Sequence, residues 1–441
     1  MNKKVIFSLD EFPLNIDELD GLDHNAKFVL SFLYKSLFFK YNGHYISEGI
    51  EDYSEGKLIK FKFSKNSTWS DGSQLNAEDF YNTLKYIIFN KLGIASYLNF
   101  IVGVKEYLIK GGNFKNIQFW IDNNYFFAKV YTLSLYKEVF SSICFAPRKI
   151  LENNTISSLT SSGYTIQEIT TDKIEIKNQL FNKNSPKINF MVVKDLDKQL
   201  DLIKNNDIFY TGFTSLTFNS IQNDNPISLK SDILIRLTIS EQFFSIFKNN
   251  IKMEFFRNLN KNNILKKLLH INPNQNDLER DVSDTINCPN ISILFPDYYP
   301  NQLIIDELDS ILLSKGYSLK KHKKSLKEFT KCNFSKYDII LELIEPITLN
   351  KLDHWIEQIQ YINIDSKKNF VNHLNRYLNS PTTTIQNEIE NIINSQSRCI
   401  QIGTLKQYYL KSQNSPELVL SDNGLISIKK HFKKELIYEL R

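Results

Sequence analysis

The sequence predicts an α/β protein with enough chain for two or three lobes, and three observations carry that expectation. Between Leu58 and Ile88 the apolar residues change from a period of two to helical spacing, with a turn in between. Ile188 to Val193 followed by Leu196, Leu200 and Ile203 repeats the order of strand, then helix. The 441 residues are 42% hydrophobic and 13% aromatic, including 32 Phe and 22 Tyr, which excludes intrinsic disorder and supplies more than one core.

Lys4 to Leu9 reads as a first strand, and Asp23-His24-Asn25-Ala26 as the capped start of a helix with Phe28, Val29, Phe32 and Leu33 on one face. In the stretch LIKFKFSKNSTWSDGSQLNAEDFYNTLKYII, Ile59, Phe61 and Phe63 alternate with Lys60 and Lys62, the pattern of a half-buried strand. Trp69-Ser70-Asp71-Gly72 forms a tight turn, where Asp bonds its own backbone and Gly takes positive φ. Asn76 is an N-cap, with Asp79 three residues on completing a capping box. Ala77, Phe80, Leu84, Ile87 and Ile88 then line one side of a helix. Tyr337 to Ile344 is an apolar strand interrupted by Asp338 and Glu342, and Trp355 to Tyr377 is helical. Gly316 stands where a left-handed residue ends a helix. Cys399 to Leu410 is a return strand, and Leu418 to Ile428 a closing hairpin through Asp422-Asn423-Gly424.

Composition removes several function classes. A net charge of +5 over the whole chain is too dilute for a nucleic-acid surface. The one basic cluster, Lys320-Lys321-His322-Lys323-Lys324, is expected in a solvated loop. Cys144, Cys288, Cys332 and Cys399 form no C-x-x-C pair, and the seven histidines show no i, i+4 pairing, so no metal site is expected. G-x-S-x-G, Walker, G-x-G-x-x-G and H-E-x-x-H motifs are all missing, so the chain is not expected to be an enzyme or to need a cofactor. No apolar run reaches the roughly 18 residues of a membrane-spanning helix. Met1-Asn2-Lys3-Lys4 begins like a signal peptide, but Val5 to Phe7 gives way to Ser8, Leu9, Asp10 and Glu11, with no h-region or lipobox. The chain as written is therefore expected to stay unexported.

The same residues carry a resemblance. A strand, then W-S-D-G at Trp69, Asp71 and Gly72, then N-A-E-D-F with Ala77 and Asp79, resembles the hallmark of the family 5 solute-binding proteins, the peptide- and nickel-binding receptors of ABC importers. Leu33-Tyr34-Lys35-Ser36-Leu37 is similar to the family's L-Y-E-S-L, and Gly103-Val104-Lys105-Glu106-Tyr107 to its I-x-G-A-E-E-Y. Gln118 to Lys129, Ser141 to Pro147 and Lys173 to Asn178 fall where the family has strands, and Asn205-Asn206-Asp207-Ile208 where it has G-E-I-D. Met253 to Leu269 falls on a family helix, and Ile291 to Phe295 with Ile304, Leu308, Ile311 and Leu312 on a strand and helix.

The resemblance implies a two-lobed, periplasmic-binding-protein-like fold (type II, cluster C) with a hinged cleft between the lobes. Residues 1–240 plus 400–441 would form the larger lobe, with a subdomain at about 41–160, and residues 241–399 the smaller. It further implies a monomer that takes a peptide or another small polar solute and presents it to an ABC permease. That implies a periplasmic or cell-surface location, against the unexported one read from the first residues. A cytoplasmic ligand-sensing or regulatory protein with the same lobes is the alternative.

In peptide-binding members an Asp four residues before a Pro in the last lobe holds the ligand's amino terminus; here Glu342 stands four before Pro346. The expected ligand contacts are Glu342, the cleft aromatics Tyr97 and Trp355, and His24 and Asn25. Each has a plainer reading: an edge-strand carboxylate for Glu342, packing for the two aromatics, helix capping for His24 and Asn25. The motif residues Trp69, Asp71, Gly72, Ala77 and Asp79 are expected to be structural.

Overall fold

Three sheets organise the chain in the computed structural model, which describes residues 4–16, 19, 22–179, 186–211, 227–248, 290–297, 301–313, 316–345, 351–379, 382–415, 418–422 and 426–428. The expected helix over Met253 to Leu269 lies outside these residues, as do Cys288 and part of the closing turn.

The first sheet begins with Lys4–Leu9 at its edge and continues through Lys187–Val192, Lys173–Asn178 and Tyr164–Ile169. Lys4–Leu9 runs parallel to Lys187–Val192, and Tyr210 adds a parallel bridge to Phe7 on its other side. Phe7, Phe28, Phe32 and Phe190 pack with ring centres 5.2–5.7 Å apart, so the helix His24–Leu33 is fixed on this sheet by aromatic contacts.

The second sheet holds Ile50–Asp52, Leu58–Phe63, Tyr125–Lys129 and Phe119–Asp122, all antiparallel. The strand at Leu58–Phe63 and the helix at Ala77–Phe89 fall where the sequence puts them. Asn76 accepts from the Asp79 backbone N–H while Asp79 accepts from the N–H of Asn76, the predicted capping box. Trp69 is fully buried, and its Nε1 donates to Asp79 Oδ2 at 3.1 Å, while Lys149 holds Asp79 Oδ1 at 2.7 Å. Gly72 has φ +87°, and Asp71 Oδ1 accepts from the Ser73 backbone at 2.9 Å, as the turn requires. The W-S-D-G element thus ties a strand to a helix start. Asp79 is the knot.

The third sheet has the order Ser318–Lys324, Asn290–Pro296, Ile339–Ile344, Ile227–Ile239, Cys399–Tyr409. Asn290–Pro296 and Ser318–Lys324 are parallel, joined across the helix Asn301–Leu313, whose Ile304, Ile305, Leu308 and Leu312 pack under the sheet. Ile227–Ile239 and Cys399–Tyr409, expected in the larger lobe, are strands of this sheet; the pattern of either alone does not tell which sheet it joins. The helices Lys351–Gln358, Ile364–Asn379 and Thr383–Gln396 send Trp355, Phe370, Leu374 and Ile389 into the same apolar cluster as the first two sheets.

Two further expectations are corrected. Lys320 to Lys324 is an edge strand and not a loop: its lysines leave the edge charged, a device that blocks unwanted pairing. Ser141 to Pro147 is not a strand but the end of a short helix and a 3-10 turn at Ile143–Phe145, because an apolar run buried on all sides has no period to read. Gly316 does take φ +79°, and Asn206, within the segment matching G-E-I-D, takes φ +61°, which Asn tolerates better than other side chains.

Among the described residues, the end of the segment leaving the first sheet, at 209–211, lies beside the end of the strand Cys399–Tyr409 and the residues after it, at 410–412. Thr211 N–H donates to Leu410 O at 3.1 Å, Leu410 N–H to Thr211 Oγ1 at 2.9 Å, and Ser412 N–H to Phe209 O at 2.9 Å. The two segments are therefore stitched together there.

Candidate functional site

A cavity of about 270 Å³ opens between the first turn of the helix His24–Leu33 and the end of the strand Ile339–Ile344 on the third sheet. Asp23 sets the helix start: its carboxylate accepts from Ala26 N–H at 2.9 Å and from Leu14 N–H at 2.7 Å. Burial pushes the Asp23 carboxyl up, against these two hydrogen bonds and the nearby His24. Asn25 is buried and donates to Asp10 Oδ1 at 2.8 Å, which locks the first turn onto the strand Lys4–Leu9.

His24 and Lys27, three residues apart, share a helix face and reach the same partner. Glu345, from the third sheet, lies 3.1 Å from His24 Nδ1 through Oε1 and 3.1 Å from Lys27 Nζ through Oε2. Lys27 also donates to the Glu345 backbone carbonyl at 3.4 Å. Burial works to raise the Glu345 carboxyl, but the Lys27 ammonium and His24 outweigh it and hold it at about 2. For His24, burial works downward, and the Glu345 carboxylate more than offsets it, so the imidazole is raised. This is an ion-paired contact between lobes. The sequence reading missed Lys27 and Glu345; the signals were the i, i+3 spacing of two basic side chains and a second carboxylate beside Pro346.

Glu342 lines the same cavity. Its Oε2 accepts from Arg236 Nη2 at 3.1 Å, Arg236 Nε at 3.3 Å and Thr238 Oγ1 at 2.9 Å. Arg236 in turn reaches Glu357 Oε2 at 3.3 Å, and Tyr97 donates to Glu357 Oε1 at 2.7 Å. Asn301, fully buried at the start of its helix, also lines the cavity; its Nδ2 donates to Pro296 O, while its Oδ1 has no partner among the described residues.

Of the predicted site residues, the structure brings His24, Asn25 and Glu342 together. Tyr97 and Trp355 do not line this cavity. Tyr97 is buried against the helix Lys351–Gln358, and Trp355 is buried with its Nε1 donating to Glu390 at 3.1 Å and its ring edge-on to Tyr377. Packing is what these two aromatics do. Among the described residues no group of three or more His, Cys, Asp or Glu side chains is disposed to hold a metal ion, and no helix is long and apolar enough to cross a membrane.

The whole chain is similar in structure to proteins of known kind. The Escherichia coli murein tripeptide binding protein MppA superposes with a TM-score of 0.76 at 12% identity, over 97% of this chain and 98% of that one. Haemophilus influenzae OppA in complex with the peptide RPPGFSPFR gives 0.76 at 13%, over 93% and 95%. The unliganded open form of MppA gives only 0.55 at 12%, over 98% of each. No protein-family model and no curated protein matches the sequence. At such identities the likeness establishes the fold, and this chain has the two-lobed α/β periplasmic-binding-protein fold of the family 5 solute-binding proteins.

Proposed function

We propose that this protein is a solute-binding protein that takes a small peptide or another small polar solute between its lobes. The observation that carries the reading is a cavity whose polar groups come from both sides: His24, Asn25 and Lys27 from one lobe, Asn301, Glu342 and Glu345 from the other. A solute touching both walls binds the closed arrangement better than an open one, and that difference drives closure. Glu342 is the group for a ligand ammonium: Arg236 and Thr238 fix its Oε2, which orients the carboxylate on the cavity wall. In this reading binding, not turnover, is the activity, and the loaded protein delivers its solute to an ABC permease at the outer face of a membrane.

The test is native mass spectrometry of the protein purified from its own host, followed by thermal shift against pools of short peptides. Saturation at about 100 times Kd stabilises the folded state by about 2.7 kcal/mol. Co-purified peptide, or a pool-dependent rise in Tm that Glu342→Ala reduces, supports the reading. An empty cleft and no shift across peptide pools overturns it.

A further inference from the structure

We infer that Glu345 is a resident substitute for a ligand's anionic group: it occupies an anion site made by His24 and Lys27, holds the lobes together in the unliganded protein, and gives way to a carboxylate on the solute. The inference rests on the receptor reading for its last clause only. Its first two clauses concern the protein alone.

Three observations converge. Glu345, directly after the strand Ile339–Ile344, reaches the helix His24–Leu33 through both of its oxygens, one to His24 and one to Lys27, each at 3.1 Å. Both cations stand on the first turn of a ten-residue helix, where the backbone dipole adds to their attraction for an anion. The contact lines the cavity itself, so an anion carried by the solute reaches the same two side chains.

The chemistry sets the solute class. The Lys27 end of the cavity carries His24 and Lys27 with two of the chain's own carboxylates, Glu345, which pairs with both cations, and Asp23, which is taken up by the backbone N–H groups of Ala26 and Leu14. The Glu342 end carries the Glu342 carboxylate, whose partner Arg236 is shared with Glu357, and neither of these two lines the cavity. A solute with an anion at one end and a donor or ammonium at the other matches both ends. Its anion displaces Glu345; its donor meets Glu342.

The test uses Glu345→Ala and Lys27→Met in the full chain, with acetate as the carboxylate probe and acetamide as its neutral counterpart. Small-angle scattering on unliganded wild type is expected to give a compact particle, near the roughly 22 Å radius of gyration of a single body of this length. Both variants are expected to be larger. In Glu345→Ala acetate is expected to raise Tm more than acetamide, because the site is vacated, while Lys27→Met and wild type show no such preference. Equal radii in wild type and both variants, or no preference for acetate in Glu345→Ala, overturns the inference. Unchanged circular dichroism in each variant shows that folding is intact. A protein that passes these tests yet binds no peptide pool retains the latch and loses the receptor reading, so the two failures are distinguishable.

Discussion

The first and third sheets are built from different materials. Under the first two sheets the core is aromatic: Phe7, Phe28, Phe32 and Phe190 in one cluster, Phe61, Phe80, Phe126 and Phe140 in another, with Trp69 pinned by a hydrogen bond to Asp79. Under the third sheet it is aliphatic, with Ile235, Leu237, Ile293, Ile304, Leu308 and Leu341 and few rings. Rings with preferred edge-to-face geometry and a polar tip fix neighbours in one arrangement. Branched aliphatics exchange for one another at small cost as long as volume is kept. The first region therefore leaves particular residues in the sequence, and the second leaves only a rhythm.

Removing the pinned ring breaks the comparison most forcefully. Trp69→Ala is expected to cost about 3–5 kcal/mol, since a fully buried indole leaves a large cavity and takes one of the two donors from Asp79 Oδ2. Leu341→Ala, fully buried in the third-sheet core, is expected to cost about 2–4 kcal/mol. Calorimetry of the two variants sharpens the point: Trp69→Ala is expected to lower one transition and Leu341→Ala another. A single transition that both variants lower equally would show that the two cores melt as one. Asp79→Ala, which removes the capping box, the Trp69 acceptor and the Lys149 partner together, is expected to cost about 2 kcal/mol, and Asn76→Ala about 1 kcal/mol, both read from denaturant midpoints.

The smallest effect is one of pH and concerns where the two regions meet. His24 faces the carboxylates Glu345, Asp10 and Asp23 and the ammonium of Lys27. Its imidazole is raised above the ordinary 6.5 where it meets Glu345, so the arrangement with this contact made binds the proton more tightly. The stabilisation is fully present below about 6.5 and is lost as pH rises through the raised value. Glu345, held at about 2, stays ionised throughout this range. The radius of gyration of the unliganded protein is expected to increase modestly between pH 6 and pH 9, and His24→Gln is expected to flatten the profile.

Legibility followed the same division. Strand, turn, capping box and helix from Leu58 to Phe89 were readable because each rests on local chemistry: alternation, an Asp-Gly turn, a side chain that caps its own helix. The run at Ser141 to Pro147 was not, because full burial erases periodicity, and the membership of Ile227–Ile239 in the third sheet was not, because pairing partners lie more than a hundred residues away. His24, Asn25 and Glu342, which line one cavity, were singled out by position relative to a known pattern. Lys27, Glu345 and Arg236 were not, since an ion pair between residues 27 and 345 exists only once the lobes face each other. Tyr97 and Trp355 lie outside that cavity and are buried, and a large ring is as useful to a core as to a cleft.

The stitched contact at Thr211 and Leu410 has a mechanical consequence. Two strips fastened edge to edge bend together and resist sliding past each other, so in the receptor reading they would serve as the line of a swing. In the receptor reading, an ion pair set away from such a joint, as that of Glu345 with His24 and Lys27 is, would resist the swing through its lever arm.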